Sequence, residues 1–171
     1  ERHSMDVLTK IPFELDTPQL MKRAHVVSGL RDAAEFERFV ERARAVARPK
    51  AGYREAFIDD KREDTVTIEG ITFTSRMLRQ NLEPVERVFP YLVTCGRELD
   101  EFAPPGGDFL EAFWWDLIKA EILTAAVKHL VEHLSRRFLL PKTATMNPGS
   151  GDADVWPIEQ QKPLFALLGD V

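Results

Sequence analysis

The chain has 171 residues, 44% hydrophobic and 30% charged, with a formal net charge of −5. That balance suits one soluble domain with a real core and does not favour a nucleic-acid surface. A single cysteine, Cys95, excludes an internal disulfide and a cysteine-cluster metal site.

No apolar run reaches the roughly 18 residues a membrane helix needs, and no signal peptide is visible. The expected setting is therefore cytoplasmic, with neither membrane nor nucleic acid as partner. His25 falls in an apolar-flanked helical stretch and reads as a packing or surface residue. RDAAEFERFVERARAVARPK follows as an amphipathic helix. Phe36, Phe39, Val40, Ala43, Val46 and Ala47 recur at helical spacing, and Pro49 stops the pattern.

A β section comes next. YREAFIDD reads as a strand, DDKRED as a solvated turn, and TVTIEGITF as a hairpin turning at Glu69-Gly70. Thr74 or Ser75 caps a short helix, SRMLRQNL. VFPYLVTCG reads as one buried strand, although Pro90 disturbs its regularity. Asp108 then opens the longest helix, over about 109–138, with Trp115, Ile118, Ile122, Ala125, Ala126, Leu130 and Leu134 as its buried stripe and Pro141 beyond its end. A last amphipathic helix puts Leu164, Phe165, Leu167 and Leu168 inward and stops at Gly169. Pro163 kinks it or begins its second part. Helices, a strand cluster and a long helix give an α+β order.

Three features bear on chemistry. His129-Leu130-Val131-Glu132-His133 matches the inverted zinc-protease motif H-x-x-E-H, in which two histidines one helical turn apart hold zinc and the glutamate activates water. That motif needs a third, downstream ligand, so the zinc-hydrolase reading is remote, and a helix whose polar face carries two histidines is the better account of the residues. Cys95 has no basic partner adjoining it in sequence and reads as a small buried hydrophobe. The stretch MNPGSGDADVWPIEQQ, residues 146–161, is the third. Its glycines allow a ligand close to the main chain. Asp152, Asp154 and Glu159 suit a cation, with Trp156 as an apolar or cation–π wall. The same residues also make an ordinary loop, with an aspartate as helix cap and Trp156 as a core plug.

The run PGSGDADVWPIEQQKPLFALLG resembles a loop-and-helix segment of the activation domain of cobalamin-dependent methionine synthase, and of stand-alone relatives of that domain. ARPKAGY, TIEGITFTSRMLRQNL and FPYLVTCGRELDEF are similar to further segments of the same domain in the same order. The resemblance implies a curved α+β domain with a twisted antiparallel sheet flanked by helices. It would cover residues 1–171 and lack roughly forty residues of the family's C-terminal portion, a prior from the family and from domain size. It implies an accessory protein that binds S-adenosylmethionine and docks on a corrinoid-binding methyltransferase protein. Cobalamin would be carried by that partner, and the chain would support its reductive remethylation by positioning the methyl donor, with no catalytic side chain or metal of its own. The residues so implicated are Asn147, Pro148, Gly149, Ser150, Gly151, Asp152 and Trp156. The family's R-x-x-x-G-Y motif, set with its glycine on Gly149, puts Thr145 at the arginine and Ser150 at the tyrosine. A threonine cannot make the bidentate grip of a guanidinium on a carboxylate, a contact typically worth about 2–5 kcal/mol when buried. The alternative function is an interaction subunit that docks on the same kind of partner without S-adenosylmethionine.

Overall fold

The computed structural model describes residues 4–102, 108–149 and 155–169. In chain order the elements are β1 (Asp6–Leu8), α1 (Thr17–Arg23), α2 (Arg31–Val46), β2 (Lys50–Tyr53), β3 (Ala56–Lys61), β4 (Thr65–Ile68), β5 (Ile71–Thr74), α3 (Arg76–Asn81), β6 (Arg87–Val88) and β7 (Tyr91–Thr94). A 3-10 turn at Arg97–Phe102, α4 (Phe109–Phe138), a second 3-10 turn at Ile158–Gln160 and α5 (Gln161–Leu168) complete them. The architecture is α+β, with antiparallel strands and one long helix. The chain packs as two compact units.

The helical unit comprises Leu8–Ala51 and Val93–Leu140. Asp16 caps α1 by accepting the Gln19 N–H at 3.0 Å, and Pro18 sits in the first turn, where no backbone donor is missed. His25 lies past the end of α1 rather than within a helix. Its φ of +56 places it left-handed, after the Ala24 cap, with its side chain exposed. α2 buries Ala33, Phe36, Val40 and Ala43, and Phe39 and Val46 pack partly against the same core. α4 answers with Trp114, Trp115, Ile118 and Ile122. The ring of Phe36 meets Trp114 edge-on at 5.5 Å, and Phe39 meets both tryptophans at 6.1 and 6.0 Å. Such pairs add about 0.5–1.5 kcal/mol each beyond the area they bury. Arg44 leaves the polar side of α2 to donate to the Leu15 carbonyl at 2.8 Å, which ties down the chain leading into α1. α4 runs on through Ala126, Leu130 and Leu134, all buried, with Ala125 only half-buried. It ends on Leu139 at φ +52, a left-handed cap, before Pro141 is reached.

The hairpin unit comprises the described residues of Glu1–Val7, Gly52–Leu92 and Pro141–Val171. Its sheet has the order β5-β4-β3-β6. β4 and β5 pair directly, Ile68 opposite Ile71 and Val66 opposite Phe73. Glu69 (φ +45) and Gly70 (φ +81) both take positive φ, as a two-residue turn with the twist of the strands requires. β3 pairs with β4 through a register shift between Ile58 and Asp60. Asp59 and Asp60 belong to the strand expected of YREAFIDD, Lys61 extends it, and only Arg62, Glu63 and Asp64 of DDKRED make the turn. Ser75 caps α3 by accepting the Leu78 N–H at 3.0 Å.

The expected single strand VFPYLVTCG is instead two short ones. β6 pairs with β3, whereas β7 belongs to a three-stranded sheet of order β1-β2-β7. Pro90, which lacks an N–H, falls between them and its carbonyl accepts from Arg54 at 3.2 Å. β7 is half-buried rather than buried.

Arg54, almost wholly buried, forms an ion pair with Glu69 of the hairpin turn and donates to the Leu167 carbonyl at 2.8 Å. The core of this unit is Ala56, Val66, Ile68, Phe73, Leu78, Trp156 and Leu167. In α5, Leu167 and Leu168 are buried and Leu164 packs partly, but Phe165 is 44% exposed, contrary to expectation. Pro163 falls in the first turn of α5, where its missing N–H costs no helical bond.

Phe36 and Phe57 give a direct test of these placements. Phe36→Ala removes a fully buried ring and lowers the unfolding free energy by about 3–5 kcal/mol. Phe57→Ala, at a side chain 52% exposed, stays within about 0.5 kcal/mol. Urea denaturation of the two variants should separate them clearly.

Candidate ligand loop

The stretch Met146–Gln161 lies in the hairpin unit. Ser150, Gly151, Asp152 and Asp154 fall outside the described residues, so the geometry concerns Asn147, Pro148, Gly149, Trp156 and the two limbs they belong to.

The leading limb runs from Thr145 to Gly149. Thr145, Asn147 and Gly149 are exposed. Met146 turns inward against the core, where its sulfur lies 3.0 Å from the Asn81 amide nitrogen of α3. The Tyr91 hydroxyl donates to the Asn147 side-chain oxygen at 2.9 Å. Burial pushes the Tyr91 phenol above its ordinary pKa, and a hydrogen bond with the Thr145 side chain opposes that rise. Gly149 stands at φ +84, and its N–H donates to the Trp156 carbonyl at 2.8 Å. A Cβ there would come within 3.2 Å of the Ile158 side chain.

The returning limb is held by the hairpin. The Ser75 hydroxyl, already accepting at the α3 cap, donates to the Val155 carbonyl. Trp156 is 6% exposed and meets Phe73 of β5 edge-on at 6.1 Å. It is a core plug in this arrangement, with little ring face open to a cation. Its indole N–H finds no acceptor among the described residues. The Gln160 side chain accepts the Thr74 N–H at 2.9 Å and so occupies part of the outer edge of β5. Glu159 is exposed.

Both limbs are therefore fastened, and the Gly149–Trp156 bond ties one to the other. The Gly149 N–H points inward, so that donor is closed to an anionic ligand. Carbonyl oxygens and neutral side chains suit a cationic or hydrogen-bonding ligand instead. Tyr91, Asn81 and Ser75 escaped sequence reasoning as partners of this stretch because they lie far from it along the chain. Tyr91 sat in an apolar run that read only as strand.

The other flagged residues lie in the helical unit. His129 and His133 are half-buried on α4 and Glu132 is exposed. Among the described residues, no group of three or more His, Cys, Asp or Glu side chains is placed to hold a metal ion. The third ligand of a zinc site is therefore not found there. Cys95 is half-buried against the helical core. Burial raises its thiol pKa and the Asp100 charge adds to this, while its own backbone hydrogen bond and the Lys119 charge pull the other way. An open depression of about 510 Å³ lined by Thr17, Met21, Lys22, Val26 and Glu37 among others holds none of the flagged residues. No described helix is long and apolar enough to cross a membrane.

No protein-family model matches the chain, and no curated protein matches it.

Two measurements follow from these environments. Gly149→Ala combines a strained φ with a crowded Cβ and should lower stability by about 1–2 kcal/mol. Gly29 has the same φ of +84 but open space around it, so Gly29→Ala should cost less. Equal costs would show that the Ile158 contact contributes nothing. For Cys95, a raised thiol pKa keeps the thiolate scarce at neutral pH. Its alkylation rate should go on rising with pH after that of an exposed thiol has levelled off.

Proposed function

We propose that the chain is an accessory protein of a cobalamin-dependent methyltransferase of the methionine-synthase type. It binds S-adenosylmethionine at the Met146–Gln161 loop and supports reductive remethylation of a corrinoid cofactor held by a partner protein. The order of similar segments along the sequence suggests this reading. The observation that carries it is the fastened glycine turn, in which Gly149 at φ +84 is tied to the buried Trp156 while Asn147 and Gly149 stay exposed. The Asn147–Gly149 main chain is thus held in place before a ligand arrives.

The described residues fit a sulfonium ligand in part. Carbonyls and neutral side chains of the leading limb suit its positive centre. Thr145, in the arginine position, has no guanidinium for its carboxylate, and its side chain already hydrogen-bonds with Tyr91. S-adenosylmethionine would supply the methyl group. The chain's own contribution is to hold that donor in a fixed orientation, a proximity effect rather than acid–base work. No side chain is assigned a proton-transfer role.

The exposed Thr145 favours a second reading, an interaction subunit that docks on a corrinoid or methyltransferase protein and takes no S-adenosylmethionine. Titration calorimetry separates the two. Saturable heat with S-adenosylmethionine, together with capture of a corrinoid-binding protein strengthened by that ligand, is the expected outcome. Absence of heat at millimolar ligand, with capture unchanged, would establish the docking reading. Absence of both would overturn the proposal.

A further inference from the structure

The leading limb is exposed at Thr145 and Asn147, yet both side chains meet one phenol supplied by a distant strand. Tyr91 belongs to β7, at the far side of the sequence from the loop. Its hydroxyl donates to Asn147 at 2.9 Å and hydrogen-bonds with Thr145. Two positions beyond Asn147 comes Gly149, whose φ of +84 and bond to Trp156 define the turn. Between them stands Pro148, whose ring fixes φ and leaves the chain little freedom there. Fixing the Asn147 side chain thus fixes the direction from which the backbone enters the glycine turn.

We propose that Tyr91 is the positioning residue of this loop: its phenol clamps Thr145 and Asn147 so that the Asn147–Gly149 main chain is held ready for the ligand. This rests on the reading of the loop as a ligand site. The clamp is uncharged, as befits a site whose arginine position is Thr145. A phenol on a short, ordered strand loses little conformational freedom when it makes such a bond, so the contact favours order in the loop.

The test uses the full chain and S-adenosylmethionine as probe, titrated well below the melting temperature of every variant. Tyr91→Phe keeps the ring and removes only the hydroxyl. It should weaken binding roughly three- to tenfold, the range a lost neutral hydrogen bond commonly produces. In a background that lacks both partners, Thr145→Val with Asn147→Ala, the same substitution should weaken binding little further, because the tyrosine acts through those two side chains. Exchange of the Gly149 amide should quicken in Tyr91→Phe. Unchanged affinity in Tyr91→Phe, with the parent binding normally, overturns the positioning role and leaves the ligand site standing. So does a loss that persists undiminished without Thr145 and Asn147, which marks a general structural effect. If the parent chain binds no S-adenosylmethionine, the ligand reading falls and the positioning role falls with it.

Discussion

The burial of Trp156 against Phe73 is the contact on which the loop's geometry depends. A tryptophan can bury roughly 150–250 Å² of surface, so one such side chain can fasten a segment with no regular structure of its own. Once the ring is seated, the Trp156 carbonyl is fixed in space. It can then accept the Gly149 N–H and close the turn. The hairpin beneath supplies the seat, and its Ser75 and Thr74 take hold of the chain on either side of the tryptophan. A loop rich in glycine and proline is ordinarily costly to order. At the described ends of this one, that cost is offset by the burial of Trp156.

Much of the fold was legible because its signals were local. The Glu69-Gly70 turn, the Ser75 cap, the α2 stripe and the span of α4 each follow from residues a few positions apart. The departures have a common cause. VFPYLVTCG looks like one strand to any periodicity argument, but the partners of its two halves lie in different sheets, and only Pro90 hinted at the division. Phe165 looks like a core residue, yet α5 buries Leu167 and Leu168 and leaves that ring 44% exposed. His25 was placed in a helix because apolar neighbours surround it, while the left-handed residue that ends α1 is itself a non-glycine, which sequence patterns seldom signal.

The loop was legible as a loop, and its glycine turn was expected. Its fastening was not. Tyr91 and Asn81 reach it from β7 and α3, and nothing near 146–149 in sequence announces them. Composition also left Trp156 with two roles open, wall or plug. The ring's burial decides in favour of the plug and moves attention to Asn147 and Gly149, which remain at the surface.

Arg54 joins two places that are otherwise remote. One guanidinium pairs with Glu69 in the hairpin turn and caps the Leu167 carbonyl near the end of α5. The turn and the helix end are thus energetically linked through a shared cation. Removing the Glu69 carboxylate would leave that charge buried with one partner fewer, and α5 would feel the change although no atom of it had been altered. Substitutions at the hairpin tip and at the chain's last helix should therefore fail to add independently, so that the outermost turn of the sheet acts as a remote control on the helix that follows the loop.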